Sequence, residues 1–224
     1  MSWPKLYFIP GMGADRRMFE GLRREGLEFE VLEFIPANKG ESLAEYALRL
    51  AEGIDQTQPF VIAGVSLGGM MASEIARKLP AKKLILVSSA KRSNELPIYF
   101  KALRFLPIHR LFSGNFLAYW GPRAHRRSME PWQADILDDM RRETDGDFIE
   151  WAINAVINWK NSTLPPNYLH IHGTRDFLLP GLFVGNRKKY AGGKHVMVLT
   201  SHAAEVTAEI QRELKQLATE SEAN

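Results

Sequence analysis

The stretch Val61-Ile62-Ala63-Gly64-Val65-Ser66-Leu67-Gly68-Gly69-Met70 constrains this chain more than any other. Its apolar, β-branched first half reads as a buried strand, and Met70 to Leu79 reads as a helix. Only a sharp turn can join the two so directly. The Gly-x-Ser-x-Gly spacing supplies one, because glycine two residues to either side of a serine lets strand and helix crowd together where a Cβ would clash. The turn is predicted to hold Ser66 Oγ at the carboxyl end of a strand, beside the first free N–H groups of a helix. The plainer alternative is an N-cap serine, which would not need Gly64, Gly68 and Gly69 together.

Further strands and helices alternate around this stretch. Leu6-Tyr7-Phe8-Ile9 reads as a buried strand closed by Pro10-Gly11-Met12-Gly13, and Asp15 can cap a helix running to about Arg24. Phe29 to Ile35 is predicted to be a strand near a sheet edge. Ser42-Leu43-Ala44-Glu45 has capping-box spacing, with Leu43, Tyr46, Ala47, Leu50 and Ile54 on one helical face. Lys83 to Ser88 is another continuous apolar strand. This alternation indicates parallel βαβ units with both sheet faces covered.

Between about residues 91 and 164 the alternation stops. Helical patterns over Ile98 to Leu106, Trp132 to Arg142 and Asp147 to Trp159 point to a helical cap inserted into the core formed by 1–90 and 165–224. The insertion has a basic block first (Lys91, Arg92, Lys101, Arg104 and later arginines) and an acidic block after it; two solvated, mutually paired helix faces are the expectation. Its aromatic residues Phe112, Phe116, Tyr119, Trp120 and Trp159 suit either an apolar acyl site or core packing. Beyond it, Asn167 to Asp176 is a strand running into a turn. Arg187 to Ala191 is a candidate last strand, and Ala203 to Leu217 a final helix followed by a frayed tail from Thr219. The expected architecture is a three-layer α/β sandwich with a mostly parallel sheet of about six strands and a helical cap.

Composition narrows the chemistry. With 224 residues, a single large domain with a substantial core is expected. A formal charge of +3 is too small to suggest nucleic acid as a partner. The absence of cysteine excludes disulfides, thiolate metal sites and a cysteine nucleophile. No apolar run reaches the length of a membrane span, and Leu6 to Ile9 is too short for a signal-peptide core. A soluble cytoplasmic protein is the expectation. Asn161-Ser162-Thr163 matches a glycosylation acceptor, read here as a chance match. Histidines and carboxylates show no metal-ligand spacing, and Gly64 to Gly69 lacks the endings of a nucleotide loop.

A serine hydroxyl becomes a nucleophile when a base takes its proton and a third group orients that base. The chain carries Ser66, then Asp176 after a later strand, then His195 after a glycine pair, with His202 as a second candidate base. In this order the sequence resembles the α/β-hydrolase superfamily over nearly its whole length. The resemblance rests on Pro10-Gly11-Met12-Gly13, Gly64-Val65-Ser66-Leu67-Gly68, His172-Gly173-Thr174-Arg175-Asp176 and Gly192-Gly193-Lys194-His195. It implies Ser66 as nucleophile, Asp176 as the acid, His195 as the base, and the backbone N–H groups of Met12 and Leu67 as an oxyanion hole. It departs from the superfamily at Pro10-Gly11, where His-Gly is common; the backbone donor is kept, but a side chain that helps order the loop is missing. Taken alone, Pro10 to Gly13 could be a simple tight turn and Asp176 the acceptor of an Asx-turn. His170 and His172 are expected to pack within their strand, and His109 and His125 to lie on the cap surface. The implied activity is cleavage of a small-molecule carboxylic ester or related acyl substrate through an acyl-enzyme, with no cofactor. A binding protein that keeps the fold without turnover is the alternative from another class.

Overall fold

Six strands form one all-parallel sheet in the computed structural model, which describes residues 4–105, 113, 114, 116 and 129–222. They are β1 (Lys5–Ile9), β2 (Glu30–Val31), β3 (Phe60–Val65), β4 (Lys83–Val87), β5 (Tyr168–Gly173) and β6 (Lys188–Tyr190). Their spatial order is β2-β1-β3-β4-β5-β6. Every residue of β3 is buried, which is why its sequence is continuously apolar rather than alternating. The order reverses at β1: the chain leaves it for β2 on one side and returns to β3 on the other. Such a switch point opens a crevice at the carboxyl ends of the two diverging strands.

Alternate residues of the central strands feed two cores. Phe60 and Ile62 pack with Leu43, Tyr46, Met71 and Ile75, from α2 (Leu43–Leu50) and α3 (Leu67–Ala76). Val61, Ala63 and Val65 pack with Phe19 and Leu22, and with Val206 and Ile210 of the C-terminal helix α7 (Ala203–Glu222). Phe19 ends a 3-10 turn (Arg16–Phe19), and Leu22 lies in α1 (Glu20–Arg24). The result is a helix–sheet–helix sandwich, each large aliphatic side chain contributing about 1.5–3 kcal/mol when fully buried. The capping box at Ser42 forms, with Glu45 N–H donating to Ser42 Oγ and the Glu45 carboxylate accepting from Ser42 N–H.

Between β4 and β5 the described residues contain no strand. They form α4 (Ile98–Phe105), α5 (Pro131–Glu143) and α6 (Gly146–Ile157). Phe148, Ala152 and Val156 of α6 join the core on the α2–α3 side, whereas Met140 of α5 joins the other. The α5–α6 pair therefore straddles the sheet at the carboxyl end of β1. Thr144 Oγ1, at the corner, lies 2.7 Å from Met140 O and 3.2 Å from Gly13 O, with one proton shared between the two acceptors. Arg17 reaches up to Glu143, and the Trp151 indole donates to Glu41 O. Among the described residues no helix is long and apolar enough to cross a membrane.

Several boundaries differ from the sequence reading. The strand expected over Phe29 to Ile35 shrinks to Glu30–Val31, because it lies at the sheet edge with β1 as its only partner and Leu32 makes the last ladder bond, to Phe8 O. The final strand is likewise a three-residue edge. The first helix begins as a 3-10 turn, with Arg17 N–H donating to the Asp15 carboxylate. The last helix runs on to Glu222 instead of fraying at Thr219. Lys91, expected on a solvated face, is buried and paired with Glu95 at 3.0 Å. Asn161 is not a free acceptor: its amide donates to Glu74 and its carbonyl oxygen accepts from Thr163. The expectations for Leu106, His109, Arg110, Phe112, Tyr119, Trp120, Arg123, His125, Arg126 and Arg127 fall outside the described residues.

Candidate active site

Ser66 joins β3 to α3 with φ 54° and ψ −119°, a conformation that L-residues rarely adopt. Backbone contacts on all sides hold it there. Ser66 N–H donates to Val87 O, while Ser66 O accepts from Gly69 N–H, Met70 N–H and the Ser89 hydroxyl, the last at 2.6 Å. The glycines permit the crowding. A Cβ on Gly64 would lie 2.3 Å from the Gly68 carbonyl, and one on Gly69 would lie 2.4 Å from Ser89 Oγ. The sequence reading did not single out Ser89; its signal is a small polar residue just past the end of β4, the strand in register with β3.

The loop after β1 lies against this turn. A Cβ on Gly11 would sit 3.5 Å from Ser66 Cβ, placing Gly11-Met12-Gly13 beside the serine at the β1–β3 switch point. Gly13 has φ +71°, which suits glycine, and closes against Thr144 and Ile149. Leu67 N–H is the first of α3 and has no intrahelical acceptor. Met12 N–H has no backbone acceptor among the described residues. A cavity of about 280 Å³ adjoins this loop, lined by Gly13, Ala14, Phe34, Ile35, Met140 and Phe148 on its apolar side and by Asp15, Glu33, Glu143 and Asp145 on its acidic side.

Asp176 and His195 come together from two loops that are stitched to each other. A Cβ on Gly173 would collide with Gly193 O at 2.1 Å, whereas one on Gly193 would meet Gly173 Cα at 3.0 Å, so the approach depends on the glycine at 173. Arg175 N–H donates to Gly193 O and Gly192 N–H to Thr174 Oγ1, each at 2.9 Å. His195 Nδ1 then stands 2.8 Å from Asp176 Oδ2. The Asp176 carboxylate is fully buried, and its Oδ1 accepts from Leu178 N–H and Leu179 N–H. Burial alone would raise its pKa; the His195 hydrogen bond and charge and the Leu179 N–H outweigh that and hold it below the ordinary carboxylate value. An ionised Asp176 can only accept, so Nδ1 carries the proton and Nε2 is left free to take one.

The other histidines are otherwise engaged. His202 faces Ala191 O through Nε2 at 3.1 Å and Ser201 Oγ through Nδ1 at 2.6 Å. A carbonyl accepts only, so Nε2 holds the proton and Nδ1 is occupied by the Ser201 hydroxyl. His170 is buried, with Lys91 Nζ 3.2 Å from its Nδ1; burial, then the Lys91 charge, push its pKa well below the ordinary value. The Trp159 indole is buried and donates to Glu74, a packing role. Among the described residues Ser66 Oγ has no hydrogen-bond partner, and no group of three or more His, Asp or Glu side chains is arranged around a metal position.

Solved structures share this architecture across the whole chain. A thermophilic esterase from Thermogutta terrifontis superposes with a TM-score of 0.73 at 20% identity, covering 96% of this chain and 90% of that one. The chain has the α/β-hydrolase fold. MenH from S. aureus matches the same fold with a TM-score of 0.70 at 15% identity, covering 96% of this chain and 94% of the other. Novel epoxide hydrolases of the alpha/beta hydrolases superfamily, from metagenomes of hot environments, give 0.63 at 16% identity over 94% and 90%. The thioesterase domain family matches residues 19–88, from Phe19 through Ser66 to the end of β4, and not the Asp176 and His195 loops. No curated protein matches the sequence.

Proposed function

We propose that this protein is a serine hydrolase that cleaves a carboxylic ester or thioester of a small acyl substrate through an acyl-enzyme. The observation that carries the reading is the contact of His195 with the buried Asp176 carboxylate at 2.8 Å, at the carboxyl end of the sheet that also carries a serine held at φ 54°. In this scheme Ser66 Oγ attacks the substrate carbonyl carbon while its proton passes to His195 Nε2. The N–H groups of Met12 and Leu67 receive the oxyanion. Collapse expels the alcohol or thiol, which takes the proton from His195. Water then repeats the sequence in reverse and releases the carboxylic acid. Asp176 holds the imidazole in the required tautomer throughout.

The free Ser66 hydroxyl fits this reading, because catalytic hydrogen bonds often close only when substrate is bound. Residues 91–164 are assigned as a cap, with the α5–α6 corner resting on the oxyanion loop through Thr144. The cavity beside Gly13 then offers Phe34, Ile35 and Phe148 to an acyl or alcohol group, with Asp15, Glu33, Glu143 and Asp145 along its polar side. The thioesterase match over residues 19–88, less than a third of the chain, supports a thioester, and the esterase among the structural neighbours supports an oxygen ester. A panel of short p-nitrophenyl esters and acyl-CoA thioesters tests the reading. Turnover of at least one class, lost in Ser66→Ala, supports it; equal rates in wild type and Ser66→Ala overturn it.

A further inference from the structure

His172 lies in β5, four residues before Asp176, and both side chains are fully buried. Its Nε2 is 2.7 Å from Leu179 O and 3.5 Å from Asp176 Oδ2. A carbonyl oxygen cannot donate, so Nε2 carries the proton and points it into the corner between Leu179 and the carboxylate. Leu179 is therefore held through both of its backbone polar groups: its carbonyl by His172, and its N–H by Asp176 Oδ1 at 2.9 Å. His172 Nδ1 has no partner among the described residues, so no competing contact fixes the ring the other way round.

We propose that His172 is a positioning residue that sets the Asp176 carboxylate for His195. It locks the turn 176–179 whose N–H groups cradle Oδ1, and it presents an N–H dipole to Oδ2, the oxygen that binds His195. Without it, Leu179 O loses a buried donor and the turn is free to rotate, which moves the oxygen that orients the imidazole. The other ionisable groups around this corner are His195 itself, His170 two residues earlier in β5, Arg187 before β6 and Tyr99 of α4, with Lys91, four residues past β4, set against His170. A misplacement of about 1 Å in such a group is enough to cost on the order of 100-fold in rate.

The effect on rate rests on the serine-hydrolase reading; the effect on geometry does not. The test compares His172→Phe, which keeps a ring without a donor, with His172→Gln, whose terminal amide reaches where Nε2 stands. In His172→Phe kcat is expected to fall about 10- to 100-fold with KM little changed, and the downfield proton resonance of His195 Nδ1–H to shift or disappear. His172→Gln restores both. If His172→Phe does not fold, ¹⁵N-histidine spectra of the wild type still decide the question: His172 is expected to be the neutral Nε2–H tautomer. An Nδ1–H tautomer, or a folded His172→Phe with unaltered kcat and His195 resonance, overturns the proposal. A wild type that turns over no acyl substrate removes the hydrolase reading alone, and the resonance still reports on His172.

Discussion

Gly64 and Gly68 touch backbone to backbone across Ser66: a Cβ on Gly64 would stand 2.3 Å from the Gly68 carbonyl carbon and oxygen. A Cβ on Gly68 would in turn meet Ile9 O at 2.2 Å. Backbone cannot swing aside as a flexible side chain can, so alanine at either position must push α3 off the sheet. Gly64→Ala and Gly68→Ala are each expected to cost about 3 kcal/mol or more in urea unfolding. Gly185→Ala, where a Cβ meets nothing within 4 Å, should stay within about 1 kcal/mol of wild type. Equal effects at all three positions would mean that the close approach is not what the glycines are for.

His195 and His202 lie seven residues apart but differ in what they can do. His195 keeps Nε2 available, whereas His202 has both ring nitrogens committed to Ala191 and Ser201. His195→Ala should lower kcat by about three orders of magnitude or more, and His202→Ala by less than about threefold. Steady-state kinetics on any substrate found by the panel decides between them. Loss of turnover in His202→Ala with retention in His195→Ala would reverse the assignment.

Stability should depend on pH through the two strand histidines. Burial, and then neighbouring charge at His170, lower the pKa of His170 and His172 from the ordinary 6.5, so the folded state keeps them neutral where the unfolded chain protonates. Their contribution is complete above pH 6.5 and is lost as the pH falls from there towards the lower folded values. Each can add a slope of up to about 1.4 kcal/mol per pH unit. Urea unfolding free energy is thus expected to decline below pH ~6.5, with a shallower decline in His172→Gln. Identical slopes in the two proteins would contradict this.

Glu74 ties α3, the helix that begins after Ser66, to the segment following α6. Its carboxylate accepts from the Trp159 indole at 2.7 Å, Asn161 at 3.1 Å and Arg77 at 3.0 Å, with little solvent at either member of the ion pair. Removing one partner leaves a buried cation uncompensated, so Glu74→Ala should cost about 3–5 kcal/mol. Replacing the exposed Glu20, paired with Arg24, should cost less than about 1 kcal/mol. Thermal unfolding of the two variants measures the contrast.

These contacts also mark where sequence reasoning succeeds and where it stops. Local rules produce the turn at Ser66, the capping box at Ser42 and the buried strands, because each depends on residues close in the chain. The edge position of Phe29 to Ile35 is legible, but nothing in its residues states that pairing with β1 ends at Leu32. The burial of Lys91 was not legible for the same reason. It depends on Gly185 O and His170 Nδ1, which are supplied by elements about 80 to 94 residues away. Asp176 and His195 could be named from the order of their motifs. What the order could not reveal is the stitching of Gly173 to Gly193 that brings them within 2.8 Å, or the second imidazole on the carboxylate.

The most direct measurement is mass spectrometry of the intact folded protein after exposure to a fluorophosphonate, with peptide mapping of the adduct. One adduct per chain is expected, located on Ser66, absent in Ser66→Ala and formed far more slowly in His195→Ala. A folded wild-type protein that takes up no label, or takes it up on another residue, would contradict Ser66 as an activated nucleophile.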